Sequence, residues 1–382
     1  MFRGERLWHK WVFTAERDVV RVGGHIGASF GIIGTHLRLT RRIINLIESD
    51  NALIVAASPT SATCAKSEGH WMVVEENANP SSDYFVLPYL HAQGHTVERH
   101  RFADVPEPGA LRGAHILFVR YIPPAWRRLI ASNRDKLAGV HFFMDDDLFS
   151  WSSFSRMPLR YQWKLLRLSW RHQGWLRDMD AKLLVSTPYL QARYAQWQPQ
   201  LLAPQVPAAL APLAQRTDFQ GEGSGPVTLF YHGSASHGAD LKWLRPVIAR
   251  VLAADARIVF EVIGNARVNR LFRGLPRVHV VHPMKWDAYQ SLLQQPGRTI
   301  GLAPLLDSPF NRARSHTKFL DITLAGAVGI YAAGTVYGGV VRHKENGLLL
   351  PMEQDAWVDG ILQLAENAPM RARMLSEARA CL

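Results

Sequence analysis

The sequence predicts an α/β protein with two domains, each built on a parallel sheet, and an extension at residues 1–69 before them. Short, largely apolar runs alternate with helix-like segments from residue 70 onward, which is typical of parallel β–α units. The alternation stops in a Gly-containing stretch at residues 216–226 that ends in Gly-Ser-Gly-Pro, and then begins again. We therefore expect a first domain at residues 70–215, a linker at 216–226 and a second domain at 227–382.

The strands should be largely apolar rather than alternating, because helices on both faces of a parallel sheet leave neither face to water. In the first domain, the runs that fit are residues 71–75, 96–100, 115–120, 140–144 and 182–186. In the second domain they are residues 227–232, 258–263, 278–282, 300–303, 328–331 and 348–350. Helices are expected at residues 83–93, 124–137, 240–253, 286–293 and 316–325.

Composition limits the class of protein. The 382 residues are 47% hydrophobic and 20% charged, which excludes a disordered chain. No run approaches the ~18 consecutive apolar residues of a membrane-spanning helix, and the N-terminus lacks the apolar segment of a secretory signal. Cys64 and Cys381 have no metal-binding or disulfide spacing, so we expect a cytoplasmic protein without a bound metal. The formal net charge of +12 favours an anionic partner.

The strongest local pattern follows the strand predicted at residues 300–303. Ser315 is suited to cap a helix, and Arg314, Lys318 and Asp321 then fall on one face of it. A helix N-terminus with Arg and Lys beside it suits a diphosphate, and a carboxylate one turn further on suits the hydroxyls of a ribose. The alternative is a structural ion pair between Lys318 and Asp321 on a solvated face.

Residues 315–328 resemble the donor-binding helix of the GT-B glycosyltransferases related to family 4, through the sequence Ser-His-Thr-Lys-Phe-Leu-Asp-Ile-Thr-Leu-Ala-Gly-Ala-Val. The resemblance covers residues 227–382 well and the first domain loosely. It implies two Rossmann-like domains that face each other across a cleft, and a ribose contact by Asp321 to a UDP- or GDP-linked sugar. It also implies transfer with retention of configuration, in which protein cations rather than a metal or other cofactor stabilise the leaving group.

The sequence departs from that family at two places. The family often has a Glu eight residues before the ribose-binding acid, and this position is Ala313 here. It also tends to have Arg and Lys in the first loop of the second domain, where this sequence has Tyr-His-Gly-Ser-Ala-Ser-His. Gly233 and Ser234 can still offer backbone N–H groups to phosphate, with His237 in place of the lysine. The alternative is a turn that only connects two elements.

Three carboxylates, Asp145, Asp146 and Asp147, follow the strand predicted at residues 140–144, where open α/β sheets bind ligands. We expect Asp145 or Asp146 to bind the acceptor or to assist proton transfer. A helix cap or turn is one alternative. A divalent-metal site is another, disfavoured because the Asp-x-Asp metal motif belongs to a single-domain glycosyltransferase fold. Glu75, at the end of the first predicted strand, is a weaker candidate for the same cleft.

A basic and aromatic helix is expected between Arg156 and Arg177. Its Arg and Lys side chains recur at helical spacing and are interleaved with Tyr and Trp. Such a helix suits an anionic membrane surface or a lipid-diphosphate acceptor. The alternative is a solvated face that covers a core.

Together these patterns favour a glycosyltransferase that moves sugar from a nucleotide-sugar donor to a glycan or lipid-linked acceptor. A nucleotide-sugar epimerase on the same two-domain frame is an alternative within the enzymes. A nucleic-acid-binding protein is the third hypothesis, and it is disfavoured because the basic residues cluster on one helix and no recognition module is present.

Overall fold

The computed structural model describes residues 69–155, 157–216, 225–233 and 238–382. The predicted extension lies outside these residues except for Gly69. Within them, each predicted domain forms one parallel six-stranded sheet. The first sheet contains β1 (His70–Glu75), β2 (Thr96–Arg101), β3 (His115–Val119), β4 (Gly139–Met144), β5 (Lys182–Val185) and β6 (Gln200–Leu201). The second contains β7 (Val227–Tyr231), β8 (Ile258–Ile263), β9 (Val278–Val281), β10 (Ile300–Ala303), β11 (Val328–Ala332) and β12 (Leu348–Leu350).

Strand order identifies both domains as doubly wound. The first sheet has the order β2-β1-β3-β4-β5-β6, which is flavodoxin-like. The second has the order β12-β11-β10-β7-β8-β9, which is the Rossmann order counted from β7. The predicted fold class, two Rossmann-like α/β domains, is therefore confirmed. Only β6 was not predicted among the strands, because two residues are too few to show a pattern.

The helices of the first domain follow the strands. They are α1 (Leu87–Ala92), α2 (Pro124–Ala131), α3 (Trp151–Phe154), α4 (Leu159–Leu168), α5 (Gln173–Asp178), α6 (Pro188–Arg193) and α7 (Ala211–Ala214). Those of the second domain are α8 (Gly238–Ala254), α9 (Ala266–Phe272), α10 (Trp286–Gln294), α11 (Thr317–Leu324), α12 (Gln354–Glu366) and α13 (Ala368–Arg379). A π-helical turn, Ser82–Val86, leads into α1. No helix in the described ranges is both long and apolar enough to cross a bilayer.

The central strands are apolar because both faces of each sheet are covered, whereas the edge strand β2 is polar and mostly exposed. Val73 and Leu117 pack in one cluster with core residues of the second domain, whereas Val74 and Ile116 pack in a separate cluster on the opposite face of the first sheet. All four side chains are fully buried. The core therefore continues from one domain into the other on one side of the first sheet.

The basic helix expected between Arg156 and Arg177 is wrong as a single element. It is divided into α4, a 3-10 turn at Trp170–His172, and α5. The break falls at Ser169, which leaves helical geometry with φ −134° and ψ −69°. Its hydroxyl donates to the Arg120 carbonyl oxygen at 2.5 Å, so a tertiary hydrogen bond replaces continuation of the helix. Similarly, the helix expected at residues 124–137 ends at Ala131.

Glycine allows α11 to lie directly on its strand. A Cβ added at Gly301 in β10 would be 2.5 Å from Cγ1 of Ile322 in α11, which is closer than packed carbons approach. Gly326, with φ +76°, follows the end of α11 in the left-handed region that glycine enters without strain. These two residues fix the distance of α11 from the sheet and the point where it ends.

Candidate functional site

A cavity of about 990 Å³ lies between the two domains. From the first domain it is lined by residues that follow β5 and β6, including Thr187 and Tyr189. From the second it is lined by residues that follow β10, β11 and β12, including Leu305, Thr335 and Met352. The carboxyl ends of both sheets thus open into this interdomain cavity, which is the usual ligand position in open α/β sheets.

Helix α11 begins beside the interdomain cavity. Its N-cap residue, His316, lines the cavity together with Arg312 of the preceding 3-10 turn. Ser315, predicted as the cap, is not the N-cap residue, because the helix begins at Thr317, one position later than expected. The helix also follows β10, which pairs with β7 at the point where the strand order of the second sheet reverses. This is the topological switch point of the domain.

Lys318 points into the protein. Its ammonium group donates a hydrogen bond to the carbonyl oxygen of His232, directly after β7, and lies 4.4 Å from the centroid of the Tyr231 ring. Burial lowers the pKa of Lys318 to about 8. The alternative from the sequence, an ion pair between Lys318 and Asp321 on a solvated face, is therefore not observed. Lys318 instead reaches the end of β7.

Asp321 meets the first domain. The hydroxyl of Tyr84, a residue of the π-helical turn, donates a hydrogen bond to Oδ1 of Asp321. Tyr84 is completely buried. Burial raises the pKa of the Asp321 carboxyl to about 6, although the Tyr84 hydroxyl and the Lys318 ammonium both act to lower it. The carboxylate predicted to bind a ribose therefore accepts a hydroxyl hydrogen bond in this structure, from the other domain.

A second contact between the domains lies next to Tyr84. The indole Nε1 of Trp286, the first residue of α10, donates to Oδ2 of Asp83 at 2.7 Å. Arg99 holds the other oxygen of Asp83 at 3.1 Å and also binds Glu75 at 2.7 Å. Glu75 is buried and accepts hydrogen bonds from Asn79 and Ser82 as well. Its partners give it a structural role at the first-domain side of this contact.

The predicted catalytic carboxylates are ion-paired. Arg120 binds Asp145 at 2.9 Å and Asp146 at 2.7 Å, and the Ser81 hydroxyl donates to Asp145 at 2.6 Å. Arg314, predicted as a phosphate ligand, reaches across to Asp146 of the first domain at 3.0 Å. Two arginines and two aspartates therefore form one charged network, which we call the Arg120 network. Asp145 keeps 15% of its side chain exposed and Asp146 only 3%.

Asp147, the third carboxylate of that run, is structural. It accepts hydrogen bonds from Ser153 at 2.7 Å and from the Tyr194 hydroxyl, and it pairs with Arg193 at 2.9 Å. These partners join the loop after β4 to α3 and α6. No group of His, Cys, Asp and Glu side chains in the described parts of the chain has the arrangement of a metal site.

The structure brings part of the predicted site together. Arg314, which precedes α11, and Asp321 both act on the pKa of Lys318, so the three side chains form one electrostatic group. Gly233 follows His232, and a Cβ there would be 2.9 Å from Cε1 of Tyr231. Ser234 and His237 lie outside the described residues.

Three side chains of the site, Tyr84, Arg120 and Trp286, were not predicted. Arg120 has a sequence signal, since a charged residue ends the apolar run of β3, and in the structure it has φ +66°, which is uncommon outside glycine. The backbone is held in this conformation partly by the Ser169 hydroxyl and by a hydrogen bond from the Arg120 amide to the Phe143 carbonyl at 2.8 Å. Tyr84 and Trp286 have no comparable signal, because each matters through a contact with the other domain.

No protein-family model matches this chain, and no curated protein matches it in sequence. Solved structures do resemble it. Sucrose-phosphate synthase from Thermosynechococcus elongatus is 13% identical, with 82% of this chain and 94% of that chain covered and a TM-score of 0.50. Anabaena HepE, solved with UDP and glucose, is also 13% identical, with 81% and 93% covered and a TM-score of 0.48.

Staphylococcus aureus TarM, solved with UDP among its ligands, is 11% identical, with a TM-score of 0.48. The match covers 70% of this chain and 52% of TarM, so the chain spans about half the length of that protein. At these identities the likeness concerns the fold alone. The match to sucrose-phosphate synthase, at a TM-score of 0.50, agrees with the strand orders above and with a GT-B arrangement of two Rossmann-like domains.

Proposed function

We propose that this protein is a glycosyltransferase that takes a UDP- or GDP-linked sugar as its donor. The observation that carries the proposal is the contact between Asp321 and the Tyr84 hydroxyl at the junction of the two domains. A half-buried carboxylate at the switch point of a Rossmann-like sheet accepts a hydrogen bond from a hydroxyl there. The ribose hydroxyls of a nucleotide offer the same chemistry.

The neighbours of Asp321 suit the rest of a nucleoside diphosphate. Lys318 lies one turn before it on α11 and Arg314 precedes the helix, so two cations lie near the helix N-terminus, a position suited to a diphosphate. We also propose phosphate contacts by the backbone at Gly233 and Ser234 and by His237, although Ser234 and His237 lie outside the described residues. We propose that Tyr84 leaves Asp321 and that Arg314 leaves Asp146 when the donor binds.

The proposed reaction uses charge stabilisation. As the bond between sugar and diphosphate breaks, Lys318 and Arg314 stabilise the negative charge that develops on the leaving diphosphate, so no divalent metal or other cofactor is required. The acceptor, a glycan or lipid-linked intermediate, enters the interdomain cavity. Asp145, the more exposed carboxylate of the Arg120 network, is proposed to face it. The resemblance to family 4 favours retention of configuration.

Thermal shift and calorimetry with UDP, GDP, ADP and their sugars test the donor site. We expect stabilisation by UDP or GDP, and about tenfold to a hundredfold weaker binding in Asp321→Ala and in Lys318→Ala, since each loses a hydrogen bond that involves a charge. Asp355→Ala and Lys242→Ala are matched controls, because both side chains are exposed on other helices of the same domain. Failure of every nucleotide to bind the wild type would refute the function.

Product analysis separates transfer from epimerisation. With the donor that binds, a transferase releases nucleoside diphosphate and labels an acceptor, and the anomeric configuration of the product is read by NMR. An epimerase instead converts the donor to an isomer without any acceptor. Detection of that isomer would contradict the proposal while leaving the donor site intact.

A further inference from the structure

The first domain exposes an unusual set of large apolar side chains. Trp151, Leu159, Trp163 and Trp170 are 48%, 80%, 66% and 41% exposed. Among the described residues only Val105 and Leu201 are other large hydrophobic side chains with comparable exposure, and they lie elsewhere in the sequence. Exposed apolar residues scattered singly need no explanation, but four within twenty positions do.

Helix α4 has two opposite faces. Leu165 and Leu168 are buried against the first-domain core. Leu159 and Trp163 are four positions apart, so they lie next to each other on the outward side. Packing against the first-domain core explains only the inward face of α4. A helix that merely covers a core has no reason to expose a leucine and a tryptophan side by side.

The same outward side of α4 is positively charged. Arg160 and Arg167 are exposed, and neither makes an ion pair with any residue in the described ranges. Residues 157–177 contain no Asp or Glu. Lys164 differs, since it pairs with Glu76 and lies over the Tyr121 ring, so it belongs to the domain rather than to this surface. We call the group Leu159, Arg160, Trp163 and Arg167 the α4 surface.

We propose that the α4 surface docks the first domain onto an anionic lipid bilayer. Leu159 and Trp163 enter the boundary between headgroups and acyl chains, and Arg160 and Arg167 bind lipid phosphates. Tryptophan suits this boundary because its ring is apolar and its indole N–H finds polar partners. The arginine stems reach along the apolar surface while their guanidinium groups stay at headgroup level.

The chemistry of the surface favours lipid over other anionic partners. An exposed leucine beside tryptophan gains free energy on entering an acyl layer, whereas a nucleic acid offers it no comparable apolar environment. The exposed arginines would repel a second copy of the same surface, which opposes self-association. The net charge of +12 attracts the whole chain toward an anionic membrane.

Co-sedimentation of the full chain with vesicles measures the effect. We expect binding to phosphatidylcholine vesicles that contain phosphatidylglycerol, and much weaker binding to phosphatidylcholine alone. Leu159→Ser with Trp163→Ser should weaken binding about tenfold or more, because both side chains lose their apolar burial. Val105→Ser, which removes an exposed apolar side chain elsewhere in the first domain, is the control and should bind like the wild type.

The charge contribution is tested in the same assay. Arg160→Gln with Arg167→Gln should weaken binding about fivefold per charge, roughly 25-fold together. Arg267→Gln with Arg270→Gln removes the same net charge from exposed positions on α9 and should change binding little. Circular dichroism and melting temperature confirm that the variants remain folded, as expected for exposed positions.

Four results would overturn the proposal. One is absence of binding to the anionic vesicles. Another is equal loss in the α4 and α9 arginine variants, which would mean that net charge alone attracts the chain. The third is a dimer, seen by sedimentation velocity without lipid, that Trp163→Ser abolishes, since the surface would then join two copies. Saturable binding of duplex DNA that depends on Trp163 would likewise assign the surface to nucleic acid.

Discussion

Replacing Tyr84 by phenylalanine removes a single oxygen atom from the junction between the domains. Tyr84 is completely buried, and its hydroxyl is the donor to Asp321 from the first domain. The ring can remain in place, next to Trp286 at 5.6 Å between centroids. The substitution therefore leaves the packing nearly unchanged and leaves the carboxylate without this partner.

The expected magnitude follows from the kind of bond that is lost. A hydrogen bond that involves a charged group contributes about 1.5–3 kcal/mol. If the nucleotide ribose replaces the Tyr84 hydroxyl, this contact exists only in the nucleotide-free state. Tyr84→Phe then destabilises that state alone, and nucleotide affinity should rise by about tenfold to about a hundredfold. The unfolding free energy without nucleotide should fall by the same amount.

Isothermal titration with UDP and GDP, together with denaturant unfolding, measures both quantities. Tyr89→Phe is the matched control, because its hydroxyl donates to Gln200 at 3.0 Å within the first domain, and nucleotide affinity should not change. A fall in stability with unchanged or weaker nucleotide affinity in Tyr84→Phe would refute the exchange of Tyr84 for ribose. It would mean that the Tyr84 contact persists in the complex.

Three further predictions concern stability and metal dependence. Burial, followed by the charges of His115 and Lys182, lowers the pKa of His141 to about 3, whereas an unfolded chain has an ordinary value of 6.5. The unfolded state therefore binds the proton first as pH falls from 6.5 toward 3, and stability is lost in that window. Between pH 6.5 and 3, the unfolding free energy of His141→Gln should therefore depend on pH less steeply than that of the wild type. The difference in slope should be up to about 1.4 kcal/mol per pH unit. Gly301→Val should destabilise the protein by about 1–3 kcal/mol in denaturant unfolding, because the valine side chain collides with Ile322. Gly338→Ala is the control and should leave the stability unchanged, because the space around Gly338 is open. Transfer activity should survive EDTA and show no requirement for added Mg²⁺ or Mn²⁺, and strict metal dependence would refute stabilisation of the leaving group by Lys318 and Arg314 alone.

The strands were predictable because their cause is local in the sequence. A strand covered on both faces must be apolar throughout, so residues 300–303 and 328–331 show the same pattern in the sequence as in the structure. The break at residues 216–226 and the renewed alternation after it likewise indicated two domains. Helix ends were less predictable, since Ser169 ends α4 through a hydrogen bond to Arg120 that no local pattern contains.

The sequence by itself determined two Rossmann-like domains and the shared helix face of Lys318 and Asp321, because both follow from the spacing of residue types along a few turns or strands. Only the tertiary structure decided which partners those charges have. Tyr84 and Asp321 are 237 positions apart, and Arg314 meets Asp146 from the other domain. Such pairs depend on how the two sheets are set against each other, and that arrangement is fixed by the shared core rather than by any short segment.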